Sequence, residues 1–247
     1  MSFLLNPMTG VYVLAALIPA AVLLFYVYRH DKIEKEPPKL LLLLLLGGVL
    51  AIPPAILLET VLGRALNWLI FFTLPLHAGH GTLILHQILD AFLVVACVEE
   101  GCKLFFLKLF SWKNPNFNYV FDAVVYAVFV SLGFAALENV MYVFQYGMAT
   151  AIARAVTAVP GHLSFSVFMG IFYGRAKLCE VYGDRTGKRK NLALAFAVPV
   201  FFHGFYDACA MIGGGVAMLV FLVFVIFMYI IVFRLLRAAS KYDRPLV

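Results

Sequence analysis

Seven long apolar runs, divided by short polar or basic stretches, set the pattern of the chain. Each is about as long as an α-helix must be to cross ~30 Å of hydrocarbon at ~1.5 Å per residue. The first run is Val11–Tyr28. The second opens on seven leucines, Leu40–Leu46, and continues to about Leu62 through Pro53-Pro54, a pair expected to kink it. Arg64–His80 is ambiguous. Its apolar part, Trp68–Leu76, is too short to cross and is expected to lie in the interface with Trp68 as anchor. The remaining runs are Thr82–Phe110, Val120–Tyr146, Ala151–Lys177 (interrupted at Pro160-Gly161), Leu192–Ile212 and, after Gly213-Gly214-Gly215, Val216–Leu236. The pattern predicts an all-α, polytopic membrane bundle of about seven helices. Residues 1–247 are expected to form one membrane domain, with the chemistry on helices within 82–212 and peripheral helices at 11–62 and 216–236. No internal repeat is visible.

Composition agrees, with 64% hydrophobic and 13% charged residues and a mean hydropathy of +0.97. The net charge of +6 does not point to nucleic acid, because the basic residues cluster in short loops between apolar runs. They are Arg29, Lys32, Lys35 and Lys39 after the first run, Lys108 and Lys113 after the third, a group from Arg175 to Lys190 after the fifth, and Arg234, Arg237, Lys241 and Arg244 at the end. The alternate loops carry little beyond Arg64. This asymmetry predicts the N-terminus outside and the C-terminus in the cytoplasm. Met1–Gly10 has no Lys or Arg, so the first run is expected to be a retained helix rather than a signal peptide. The four cysteines lie in or at the end of apolar runs and form no extracellular pair, which argues against a disulfide framework.

Against that background the charges inside the runs stand out. Val98-Glu99-Glu100-Gly101-Cys102-Lys103 places two adjacent carboxylates and a lysine in the third helix. A lone charge in lipid costs several kcal/mol, and Lys103, three and four residues on, can neutralise one carboxylate. Glu138-Asn139 lies in the fourth helix, His162 just past Pro160-Gly161 in the fifth, and His203 and Asp207, one turn apart, in the sixth. Each has a structural alternative: a buried ion pair, a satisfied core histidine, a helix-stabilising pair, a hydrogen-bonded bridge. Asp122, at a helix start, is read as structural. Glu59 and Arg154 are expected to snorkel. On an α-helical wheel His86, Asp90 and Cys97 share the broad face of Glu100, and His86 and Asp90 are expected at the mouth of a cavity. Ionisable groups from four helices at similar depth are harder to explain as packing. They suit a carboxylate that activates water and histidines that stabilise an oxyanion, or a two-histidine, one-carboxylate metal site. There is no HExxH motif and no serine in a nucleophile-elbow context.

At these residues the chain resembles the PrsW family of bacterial intramembrane proteases, distant relatives of the CAAX prenyl endopeptidases. The motifs are Glu99-Glu100-x-x-Lys103, Phe134-Ala135-x-x-Glu138-Asn139, Pro160-Gly161-His162 and His203-x-x-x-Asp207, spanning about Asp90 to Asp207. Relatives in the wider superfamily carry histidine where this chain has Glu138. The resemblance implies peptide-bond hydrolysis in or near the bacterial cytoplasmic membrane, on a membrane-spanning or membrane-associated protein such as an anti-sigma factor.

The expected catalytic set is Glu99, Glu100, Lys103, Glu138, His162, His203 and Asp207. Glu99 or Glu100 is the base, Lys103 tunes the pair, and Asp207 orients His203. His162 and His203 serve the oxyanion or a metal. No cofactor is favoured, because Lys103 beside both glutamates disfavours a second cation; the open alternative is zinc or another divalent ion on Glu100, His162 and His203. The rival function is a proton-coupled transporter or channel using the same groups as a relay.

Overall fold

A computed structural model describes residues 7–73 and 80–246. Among these the regular elements are all helices: α1 Pro7–His30, α2 Pro38–Thr73, α3 His80–Leu89, a π-helical stretch Asp90–Ala96, α4 Cys97–Ser111, α5 Asp122–Tyr146, α6 Met148–Val156, α7 Ala158–Val181, α8 Arg185–Ile212 and α9 Gly214–Lys241. Seven stretches of the described residues are long and apolar enough to cross a membrane, so this is a polytopic helical membrane protein. α3, the π-helical stretch and α4 make one span, and α6 with α7 another.

Two boundaries differ from the hydropathy pattern. α2 does not stop near Leu62 but runs through Arg64 and Trp68 to Thr73, so the separate interfacial segment is not found; residues 74–76 of it lie outside the described residues. Hydropathy averages fall at Arg64 and Asn67, but neither breaks a helix. In the fifth span the break falls at Thr157, between α6 and α7. Pro160 then sits in the first turn of α7, where its missing N–H would have had no helical partner.

α5 is the hub, packed by α1, α2, α4, α6 and α7. Small residues allow the close approach that holds helices together in lipid. A Cβ on Gly48 would overlap the Val130 carbonyl, and one on Gly133 the Leu45 carbonyl, so α2 and α5 meet backbone to backbone. At Gly170 a Cβ would lie 2.8 Å from the Ala123 carbonyl oxygen, and at Gly174 2.7 Å from that of Val120, which seats α7 on the other side of α5.

The basic end of the bundle is closed by its loops. Phe117 stacks on Tyr173 and meets Trp112 and Tyr126 edge-on. Tyr126 donates from its hydroxyl to Glu36 Oε2 (2.7 Å) and the Asn116 carbonyl (2.9 Å). Asp122 accepts from the backbone N–H of Asn118 (3.0 Å) and Tyr119 (2.7 Å), so it ties the preceding loop rather than only complementing a helix dipole. The C-terminal residues pair with that loop: Val120 donates to the Arg244 carbonyl, Leu246 to that of Asn118, and the Leu246 side chain is buried. In the adjoining 31–37 loop, burial pushes the Asp31 carboxyl up to about 6 and the Glu36 carboxyl up to about 7. The opposite end turns at Gly147 (φ +86°) and Gly213 (φ +61°), left-handed positions suited to glycine.

Candidate active site

α4 sets the site. Helical spacing brings the ammonium of Lys103 to 2.9 Å from Glu99 Oε2 and 2.8 Å from Glu100 Oε1. Lys103 has no exposed surface and its Nζ lies 4.3 Å from the centre of the Phe134 ring. An unpaired ammonium there would be strongly destabilising; two carboxylates and an aromatic face offset its lost hydration.

Its third bond fixes a histidine. Lys103 Nζ lies 3.1 Å from His162 Nδ1. An ammonium only donates, so Nδ1 accepts and the proton of a neutral ring is on Nε2. Nε2 in turn lies 3.0 Å from Glu138 Oε2, which accepts it. Both nitrogens of His162 are therefore occupied. The Ser131 hydroxyl also donates to the His162 carbonyl (3.0 Å) and pins α7 to α5.

Glu138 is itself held. Arg154 Nη2 donates to Glu138 Oε2 (2.7 Å) and Nε to Asn139 Oδ1 (3.0 Å), and the guanidinium lies 4.0 Å from the centre of the Tyr142 ring. Asn139 Nδ2 donates to the Ala16 carbonyl of α1 (2.8 Å). Arg154 thus does not snorkel. It is the lone charge of α6, and a lone arginine in an apolar run is itself a signal that a buried carboxylate waits elsewhere.

His203 of α8 lies between carboxylates. Nδ1 is 2.9 Å from Glu100 Oε1, while Nε2 is 3.2 Å from Asp207 Oδ2 and 3.9 Å from Glu99 Oε2. The ring stacks on Phe165 at 4.6 Å and meets His162 edge-on at 5.4 Å. It can donate to acceptors on both sides only as the imidazolium. Despite its proximity to Nε2, Asp207 Oδ2 makes no well-formed hydrogen bond among the described residues, and neither does Glu100 Oε2.

All seven sequence-derived residues therefore join one network, but they do not face the same way. A cavity of about 340 Å³ is lined by Glu59, Glu99, Glu138, His162, His203 and Asp207, with apolar and aromatic walls. Glu100 and Lys103 stand behind this wall. Glu59 faces the cavity instead of snorkelling. His86 and Asp90 do not line it, and His86 bonds Asn67 of α2 (2.7 Å). The π-helical stretch explains that miss, since i→i+5 turns shift every upstream residue relative to an α-helical wheel.

Among the described residues, the donors that come within 4.8 Å of one another are those of Glu99, Glu100 and His162. The expected trio with His203 does not converge in this way. Lys103 Nζ already bonds all three members of the observed cluster.

Residues 36–233 match the family described as PrsW family intramembrane metalloprotease. The chain is 35% identical over 193 residues to a Protease PrsW of Geobacillus kaustophilus, covering 78% of this chain and 76% of that protein. It is 29% identical over 231 residues to Protease PrsW of Halalkalibacterium halodurans (93% and 97% covered) and 30% identical over 220 residues to that of Clostridioides difficile (87% and 86%). No solved structure matches the chain.

Proposed function

The chain belongs to the PrsW family of intramembrane proteases, and on that footing we propose that it cleaves a membrane-spanning protein by water activated at Glu99. The observation that carries this is the division of labour along α4: Glu99 lines the cavity, whereas Glu100 is fully buried between Lys103 and His203. Glu99 Oε2 is held by Lys103, and Oε1 accepts no protein hydrogen bond among the described residues. A water on that oxygen gives its proton to Glu99 as its oxygen attacks the peptide carbonyl. The His203 ring, held at Nδ1 by Glu100, offers its Nε2 proton to the developing oxyanion, and the Asp207 carboxylate 3.2 Å away favours the charged ring. Glu99 then returns the proton to the leaving amine. His162, with both nitrogens engaged, serves as a strut between Lys103 and Glu138.

The family description implies a divalent metal. The donors are of the right type, and the unpartnered Glu100 Oε2 would suit one, but the arrangement does not fit. An ammonium sits among Glu99, Glu100 and His162, and a dication about 4 Å from it would be repelled by about 8 kcal/mol at an effective dielectric near 20. Lys103 supplies the site's cation instead. The transporter alternative is not favoured, since the matched family and relatives are proteases.

The protein works as a single membrane domain in the bacterial cytoplasmic membrane, N-terminus outside and C-terminus in the cytoplasm, because its basic loops share one end. An anti-sigma factor is the substrate class that the family resemblance supports. Purified protein incubated with single-span candidates, with products mapped by mass, tests the proposal. Glu99→Gln is expected to abolish cleavage while the fold is kept, and chelation to leave the rate unchanged. Bound metal in stoichiometric amount, whose removal stops cleavage, would overturn the mechanism.

A further inference from the structure

α2 is built in two unlike halves. From Leu40 to Ala55 it is anchored, burying Leu40, Leu41, Leu44, Gly47, Gly48, Ala51, Ile52 and Ala55; beyond Ala55 only Leu66 is buried. The anchor is the backbone contact of Gly48 and Leu45 with α5. The halves meet at Pro53-Pro54. Neither proline has an N–H, so the carbonyls of Val49 and Leu50 lose their helical partners and the helix is weakest there.

The outer half has a space on each side. Toward the interior, Ile56 and Glu59 line the cavity that holds Glu99. On the other face Pro54, Leu58 and Leu62 line an apolar groove of about 620 Å³, whose far wall is Cys97, Cys102 and Phe105 of α4. α4 contributes to both spaces as well, with Glu99 to the cavity and Val98 to the groove. Two turns of a loosely packed helix therefore separate an apolar groove from the carboxylate.

We propose that α2 beyond Pro53-Pro54 is a lateral gate. An apolar membrane-spanning helix of the substrate docks in the α2–α4 groove and reaches Glu99 when the outer half of α2 swings on the proline pair. The occupant follows from position and chemistry: the groove is wholly apolar apart from two thiols, lies within the apolar spans, and adjoins the cavity across one helix. The gate rests on the protease reading above and adds the route of entry.

A reversible lock tests it. A Cβ on Gly63 would lie 4.0 Å from Val94 Cγ1, which brings a Gly63→Cys, Val94→Cys pair within about disulfide reach. The pair is made in a background with Cys97, Cys102, Cys179 and Cys209 replaced by Ala. Oxidation, verified by mass, is expected to lower cleavage of a single-span substrate in liposomes at least ~10-fold. Reductant should restore it, and cleavage of a short soluble peptide containing the same bond should persist. Undiminished cleavage of the spanning substrate by the locked protein would overturn the gate, as would equal loss with both substrates. Absence of cleavage in the reduced protein would overturn the protease reading itself. A second measurement is independent of the lock. In Glu99→Gln protein with its native thiols, a substrate helix bearing one cysteine is expected to cross-link to Cys102 in the groove and not to Cys179. No cross-link, or equal yield at both, refutes docking there.

Discussion

Arg154 touches neither Glu99 nor His203, yet it should govern turnover through Glu138. The guanidinium donates to Glu138 Oε2 at 2.7 Å, in surroundings where the two side chains are 14% and 16% exposed. Charge-assisted hydrogen bonds of this kind contribute about 1.5–3 kcal/mol. Glu138 uses the same oxygen to hold His162 Nε2, and His162 Nδ1 positions the ammonium behind Glu99. If the lost interaction is felt fully in the transition state, Arg154→Gln lowers kcat by about 10- to 150-fold, at ~1.36 kcal/mol per decade, and leaves KM nearly unchanged. Glu138→Gln should fall in the same range. The double variant should be no worse than the poorer single one, giving a coupling of about 1.5–3 kcal/mol, and Arg154→Lys should recover part of the loss. The assay is steady-state cleavage of a reporter peptide by purified protein, with thermal melting to confirm the fold. Additive losses would refute the relay. A raised KM at constant kcat would place Arg154 on the substrate instead.

Lys103→Met leaves two buried carboxylates without their ammonium and should destabilise the protein by about 3–5 kcal/mol, seen as a lowered melting midpoint in detergent. Gly48→Ala drives a methyl into the Val130 carbonyl and should destabilise by about 1–3 kcal/mol, whereas Gly10→Ala, with nothing within 4 Å, should be neutral or slightly stabilising by the same measurement. The folded protein holds protons on Asp31 and Glu36 more tightly than the unfolded chain. Their contribution to stability is thus fully present below about pH 4 and lost as pH rises through about 6 and 7. The melting midpoint should fall over that window, and Asp31→Asn with Glu36→Gln should flatten the slope. In a cysteine-free background, Thr186→Cys should react with an impermeant maleimide only after the cells are opened, and Gly215→Cys from outside; the reverse would invert the proposed topology.

The spans and the central motif were legible because each depends on local sequence. Apolar length gives a crossing helix, and Glu99, Glu100 and Lys103 meet at i+3 and i+4 spacing whatever surrounds them. His203 and Asp207 were legible as a pair for the same reason. What escaped depends on contacts between distant segments. Nothing local tells that Arg154 will find Glu138, that Glu59 turns inward, or that Leu246 pairs with Asn118. The Asp90–Ala96 π-helical stretch is hidden in an unbroken apolar run, so a wheel drawn through it misplaced His86 and Asp90. The second glutamate is indistinguishable from the first in sequence; only the position of α8 buries Glu100 against His203 and leaves Glu99 at the cavity.

The Lys103 pairing also bears on how the chain enters the membrane. Three separate charges in an emerging helix would resist insertion by ~2.5–3.5 kcal/mol each at the centre of the bilayer. α4 is synthesised before the segments that carry Arg154, His162 and His203, so none of these partners can help it at that moment. Because Lys103 lies one turn beyond both carboxylates, the helix brings its own counter-charge and leaves the insertion machinery with a net charge of one at this site rather than two. The spacing that sets a lysine behind a carboxylate in the finished protein thus first makes the helix admissible to lipid, and the later helices close around charges that are already paired.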